Sequence, residues 1–344
     1  MDLIISVDDG STQQKLSWIC PETGEIKTLV VPNSLRKGWK SAALRNDTSV
    51  FNFFLDDKRY TYDETSEQSL DTQHVDYQWS DENLISVHYA LLQTGIDIEK
   101  YKNIKLICTL PITQYYRKED NQFDEDNIAR KKANLMRPVE LNEGKTFNVV
   151  DVKVMPESAP ACMSILLDPE NNITNFHRTL IVDLGGTTLD LAVVKGAFKE
   201  VSEVMGNSEL GVSWVTRTAM TALANAHSHC SFLVANELIK NRHDESFVRQ
   251  VIVDHTQVDT VLKKIDQSII ELGEAVAQAC ARFTKSPNMV LLVGGGSSLV
   301  VEAVKNAYPA LGDRVMLVEG AESMLAVENM KMHSKEAKAL YEAA

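Results

Sequence analysis

The sequence predicts a two-domain α/β protein whose halves repeat one pattern and enclose a ligand cleft. Three observations predict it. An apolar run, Leu3–Val7, ends in Asp8-Asp9-Gly10-Ser11-Thr12 and is followed by an alternating returning strand, Lys15–Cys20. About 175 residues later Thr179–Val182 ends in Asp183-Leu184-Gly185-Gly186-Thr187-Thr188 and returns over Leu189–Val194; such internal echoes mark repeated architecture. The length of 344 residues exceeds what one compact core usually serves.

The elements follow in order. Met1–Val7 reads as the first strand, Glu22–Glu25 as a turn and Ile26–Val31 as a third strand. From Pro32 to Trp79 the texture changes to polar residues and scattered aromatics with short strands, an inserted subdomain. A helix is predicted after Ser80 as N-cap, with Asp81 and Glu82 in its first turn, Leu84, Val87, His88 and Leu91 on one face, and Gly95 as its stop. Ile104–Leu110 is a buried-type strand, Asn127–Met136 a helix and Phe147–Met155 a strand. Pro156–Pro160 then leads into a helix through Leu167, with Asp168–Asn175 as a polar hinge.

Beyond the second echo, helices are expected over Val212–Ala226 and Ser231–Arg242. A long one spans Val258–Phe283, whose apolar positions Val258, Leu262, Ile265, Ile269, Leu272, Val276, Ala279 and Phe283 step by three and four. Met289–Val293 enters Gly294-Gly295-Gly296-Ser297-Ser298 and a helix near Leu299–Ala307. Ser323–Lys331 and Ser334–Ala344 read as closing helices.

Composition excludes several classes. Acidic residues exceed basic ones 48 to 35, a formal charge of −13, which argues against direct nucleic-acid binding through clustered Lys and Arg. The run Arg130-Lys131-Lys132, with Arg137, reads as a solvated helix face. The five cysteines never form a CxxC pair and are expected as free thiols in a reducing compartment. His227, His229 and Cys230 lack a closing set of metal ligands. No apolar run approaches a membrane span, and no basic n-region opens the chain, so a cytoplasmic protein without membrane contact is expected.

The paired turns carry the chemistry. A tight turn after a buried strand aims several backbone N–H groups one way, a concave nest for phosphate oxygens. Gly10, Gly185 and Gly186 allow close backbone approach, and Ser11, Thr12, Thr187 and Thr188 add hydroxyl donors. Lys15 is placed to set a positive charge beside the phosphates. Asp8 and Asp183 are expected to face each other and to hold Mg²⁺ mainly through water, since this ion keeps much of its hydration shell. The first turn also offers Asp9; the D-x-G-S spacing favours Asp8 as the metal-side carboxylate and leaves Asp9 as the alternative.

These residues carry a resemblance. Asp8-x-Gly10-Ser11-x-x-x-Lys15 and Val182–Thr188 resemble the two phosphate motifs of the actin/Hsp70/sugar-kinase superfamily. Leu292–Ser298 resembles its adenosine motif, which adds Gly294, Gly295 and Gly296 to the nucleotide set. Pro156-Glu157-Ser158 sits where its first connecting segment belongs, and Gly206–Gly211 resembles a loop beside the nucleotide, which adds Gly211. Longer strings, among them Val7–Lys15, Cys108–Pro111, Arg130–Asn134, Asp151–Ser158, Val182–Asp190 and Leu210–Ser213, resemble the ParM family of plasmid-segregating actin-like proteins.

That resemblance implies an actin-like ATPase fold, two similar ribonuclease-H-like domains flanking a nucleotide cleft, each with a smaller inserted subdomain. Domain I is expected over residues 1–168, with the insertion near 32–79 and completion by 321–344. Domain II is expected over 176–320, with an insertion over about 205–285. The resemblance further implies ATP or GTP with Mg²⁺ as cofactors and Glu157 as the residue that orients the attacking water. Asp183 is then the metal-side residue with the greatest cost on removal. It implies a self-assembled filament in the cytoplasm of a bacterium, captured by a small DNA-binding adaptor of the ParR type, partitioning plasmid copies.

Three rivals share the scaffold. A sugar-type kinase needs a catalytic Asp placed for a hydroxyl acceptor, and no such motif is evident. A chaperone-like ATPase is expected to continue into a peptide-binding domain beyond residue 344. A cell-shape actin is expected to carry a membrane-inserting amphipathic segment, and none is read here.

Overall fold

A computed structural model describes residues 2–41, 49–64, 66–74, 76–120 and 122–342. Met1 of the first predicted strand, positions 42–48, 65 and 75 of the predicted insertion, and the last two residues of the predicted helix Ser334–Ala344 lie outside the described residues.

Two five-stranded sheets have the same topology. The first runs in the spatial order Ile26–Pro32, Gln13–Ile19, Asp2–Asp9, Asn103–Leu110, Asn148–Pro156. The second runs Glu200–Asn207, Leu189–Lys195, Arg178–Leu184, Met289–Val293, Val315–Leu317. In each, an antiparallel meander of three strands is extended by two parallel strands, which need helical crossovers. The register matches as well: Asp8 lies opposite Lys15, and Asp183 opposite Asp190.

Both central strands are buried on both faces, which explains why they read as continuous apolar runs. The helix Asp81–Gln93 packs Leu84, Val87 and Leu91 into the core of the first lobe. Ser80 caps it, its Oγ accepting from the Asn83 amide at 3.1 Å, and Gly95 follows at φ +69°. The helix Val258–Phe283 buries Ile265, Ile269, Leu272 and Val276 against the second lobe, along the predicted stripe. The closing helices Met324–Met332 and Ser334–Glu342 return to the first sheet, where Met330 and Ala337 meet Ile4, Ile19 and Ile107.

A four-stranded sheet joins Leu35–Lys37, Lys58–Tyr62 and Asn52–Leu55 with Glu140–Leu141 from much later in the chain. Three elements were not legible in advance. The strand Glu200–Asn207 forms a half-buried edge without apolar alternation. The helix Glu245–Val251 and the strand Val315–Leu317 are too short to show a period.

The basic run is not wholly a solvated face: Arg130 is exposed, but Lys131 turns inward. Arg130 lies 4.7 Å over the Trp79 ring, Lys131 is fully buried, and Arg137 pairs with Asp81 at 2.8 Å and with Asp56. The cation in mid-run is consumed by an internal partner, Asp9.

Candidate active site

The two hairpin turns meet at the floor of a cleft of roughly 430 Å³ between the lobes. Ser11 Oγ lies 2.5 Å from Thr187 Oγ1, so the turn tips touch. Asp8, Gly10, Ser11, Thr12, Lys15, Glu157, Asp183, Gly185–Thr188 and Gly294–Gly296 all line the cleft.

Side chains behind the first turn set its direction. Asn33 Nδ2 donates to the carbonyls of Gly10 (3.0 Å) and Ser11 (2.8 Å), and Thr72 Oγ1 donates to Ser11 O at 2.5 Å. In a trans peptide the N–H points opposite the C=O. Drawing these carbonyls back therefore turns the amides of Ser11 and Thr12 toward the cleft. Gln14 Nε2 adds a weaker hold on Gly10 O at 3.3 Å.

Adjacent strand residues face opposite ways, which resolves Asp8 from Asp9. Asp8 opens onto the cleft and accepts from Lys15 Nζ at 3.0 Å. Asp9 is fully buried behind the turn, where Lys131 Nζ, Asn83 Nδ2 (2.8 Å) and the Thr109 amide (3.2 Å) take its oxygens. It is outside the cleft lining, so its expected place among phosphate ligands is corrected.

Glu157 reaches the cleft from a sharp corner. Its own N–H donates to Leu110 O at 2.8 Å, and Ser158 adopts φ +72°, a costly conformation for a residue with a Cβ. That corner brings the Ser158 backbone near Asp183 of the other lobe, where it acts to lower the carboxyl's pKa. Asp190 is 2% exposed, accepts from Thr188 Oγ1 at 2.9 Å and, among the described residues, leaves Oδ1 without a partner.

Four carboxylates thus crowd one cation. Burial, then Asp190 and Asp8, push Asp183 up to about 7, against Lys15 and the Ser158 backbone. Burial raises Asp190 to about 7, against the Thr188 hydroxyl and the Ile112 backbone, which pull it down. Glu157 is raised by burial first, then by Asp190, Asp8 and Asp183. Such a cluster suits a divalent cation and its phosphate ligands. Among the described residues no three His, Cys, Asp or Glu side chains converge to ligate a metal directly.

The glycine loop closes the other end. Gly294 sits at φ +85° with its α-carbon against Asp183 and the Leu184 carbonyl, a place with no room for a Cβ. Gly211 does not line the cleft. It packs behind the second turn, where a Cβ would stand 2.5 Å from the Thr187 carbonyl carbon.

The chain matches two family descriptions: "Plasmid segregation protein ParM, N-terminal" over residues 3–168 and "Plasmid segregation protein ParM, C-terminal" over 173–332. The chain belongs to the ParM family. Among solved structures, a pCBH ParM non-polymerisable quadruple mutant superposes with a TM-score of 0.71 at 17% identity, covering 97% of this chain and 100% of that one. A 15-stranded ParM filament from Clostridium botulinum gives 0.71 at 16% identity, over 97% and 99%. The archaeal actin homologue Ta0583, solved with ADP, gives 0.65 at 15% identity, over 97% and 99%. The expected actin-like fold is therefore the fold of this ParM relative.

A chaperone HscA homologue from Acinetobacter baylyi is 25% identical over 166 residues, 42% of this chain; the chain spans about a quarter of that curated relative's length. No helix among the described residues of this ParM-family chain is long and apolar enough to cross a membrane.

Sequence reasoning missed the supports. Asn33, Gln14 and Thr72 are isolated polar residues whose role appears only in three dimensions. Asp190 was readable: each hairpin places a polar residue seven positions after the penultimate residue of its central strand, Lys15 in one and Asp190 in the other. On the helix Phe232–Lys240, Leu233, Asn236, Glu237, Ile239 and Lys240 line the cleft, while Ala235 and Leu238 turn into the core of the second lobe.

Proposed function

We propose that this protein is an ATPase whose nucleotide state controls assembly into filaments, and that such filaments partition plasmids through a DNA-binding adaptor. The observation that carries the reading is the contact of two matching hairpins at Ser11 and Thr187, each with a carboxylate, Asp8 or Asp183, on the cleft side. A triphosphate lying across both turns has donors from each lobe, so its terminal phosphate favours one relative orientation of the two. A filament contact spanning both lobes then discriminates between nucleotide states by their differential affinity for that orientation.

In this reading the turn amides, Lys15 and the hydroxyl of Thr12 bind the phosphates. Asp8 and Asp183 hold the hydrated Mg²⁺, which when bound offsets phosphate charge. Glu157 orients the attacking water in line with the terminal phosphorus, a positioning role central to phosphoryl transfer. Glu237, Lys240 and Asn236, opposite the glycine loop, take the nucleoside end. The ADP complex of the archaeal relative supports placing a nucleotide in this cleft.

Light scattering with electron microscopy tests the reading. Purified protein at tens of micromolar should scatter and form filaments upon ATP and Mg²⁺. Protein that stays monomeric yet phosphorylates a small alcohol supports a kinase instead.

A further inference from the structure

Lys131 Nζ is fully enclosed by oxygens. It donates to Asp9 Oδ2, to Gln78 Oε1, to Asn83 Oδ1 at 3.1 Å and to the Gln78 carbonyl at 3.3 Å. Asn83 turns its amide to suit, giving Nδ2 to Asp9 and Oδ1 to Lys131. A buried ammonium arranged this way is held only by acceptors.

One of those acceptors belongs to the cleft wall. Gln78 is 6% exposed and lines the cleft beside the first turn. An ammonium can take only the oxygen of a primary amide, so Lys131 fixes which way Gln78 faces. The oxygen points inward and the NH₂ is left as a double donor; among the described residues Nε2 has no protein partner. Without Lys131 the amide could turn and present an acceptor, which repels an anion.

We propose that Gln78 donates to the terminal phosphate of a bound nucleoside triphosphate, and that Lys131 is the positioning residue that keeps it a donor. This rests on the nucleotide reading of the cleft. Gln78 stands on the lobe that carries Gly10–Thr12 and Glu157 and lines the same cleft as they do. Asp9, the residue Lys131 pairs with, immediately precedes that turn, so one buried cation secures both the turn's backing and the neighbouring donor.

The test is titration calorimetry of the full chain with ATP and with ADP, each with Mg²⁺, alongside thermal unfolding. Gln78→Leu should weaken ATP by about tenfold or more, the effect of one hydrogen bond to a charged oxygen, and ADP by less than about threefold. The double variant Asp9→Asn/Lys131→Met removes both buried charges together and keeps Gln78. It should lose the same ATP-over-ADP preference, which a merely structural role for the pair would leave alone. A Gln78→Leu protein with the wild-type ratio of ATP to ADP affinity overturns the assignment. A double variant with the wild-type ratio overturns the role of Lys131. If the wild type binds neither nucleotide, the cleft reading itself fails, which separates the two failures.

Discussion

Lys15 and Asp190 are structural counterparts: each lies directly across its hairpin from the penultimate residue of the central strand, Asp8 in one lobe and Asp183 in the other. One hairpin therefore presents a neutralised pair, with Lys15 3.0 Å from Asp8. The other presents two acids, and both rise to about 7. The repeated fold thus carries an asymmetric charge, and the acidic lobe is where a divalent cation gains most.

Proton release follows from that asymmetry. Below about 7 Asp183 and Asp190 retain protons that a divalent ion must displace. Apparent Mg²⁺–nucleotide affinity should rise as pH increases toward about 7 and level off above it. Calorimetry at pH 6 in buffers of different ionisation enthalpy should report protons leaving on binding, and far fewer at pH 8.5. Asp183→Ala should abolish Mg²⁺-dependent hydrolysis; unchanged turnover in that variant contradicts its assignment.

Glu157→Ala should separate binding from chemistry. The side chain only positions water, so ATP should bind within a few-fold of wild type while hydrolysis falls on the order of 10²–10⁴. Single-turnover kinetics beside a binding titration reads both. A folded variant that no longer binds nucleotide shows instead that Glu157 supports the corner at Ser158.

Gly211→Ala should damage the second turn from behind. Its Cβ would stand 2.5 Å from the Thr187 carbonyl carbon and 2.7 Å from the Gly186 carbonyl oxygen, both backbone atoms that cannot swing aside. Overpacking of this kind typically costs about 1–3 kcal/mol. Thermal unfolding should register that loss and a nucleotide titration an affinity loss of roughly tenfold. Gly185→Ala, whose Cβ would lie 3.4 Å from Thr188 O, should be milder.

His88 predicts acid sensitivity. It is 2% exposed, neither ring nitrogen has a partner among the described residues, and burial lowers its pKa from 6.5 to about 4. The unfolded chain then binds a proton that the folded one refuses, so stability falls as pH drops from about 6.5 to about 4. One pKa unit is about 1.4 kcal/mol, so the loss is up to about 3 kcal/mol at the lower end. Denaturant unfolding at pH 7 and 4.5 should show a smaller drop for His88→Leu than for wild type.

Much of this was legible in the sequence because the chemistry sits at strand ends. Buried parallel strands are read from apolar runs, and Asp, Gly and Thr after such a run mark the turn, so both hairpin turns and the glycine loop were expected where they lie, at the cleft. Glu157 was placed through resemblance, since a Glu after a Pro reads as surface until Ser158 at φ +72° is seen. Charge alone misled at Lys131 and Asp9. A helical Lys beside two other bases looks solvated, and a second Asp in a phosphate motif looks like a ligand. Their mutual burial depends on packing between a strand and a helix more than a hundred residues apart, which no local pattern records.

The most direct measurement is a timed light-scattering trace of wild type and Glu157→Ala after one addition of ATP and Mg²⁺, with electron microscopy at each plateau. If nucleotide state governs assembly, wild-type scattering rises and then decays as ADP accumulates. Glu157→Ala should rise equally and persist long after the wild-type signal is gone. Equal decay of both traces, with ATP still intact in the variant, would contradict the account.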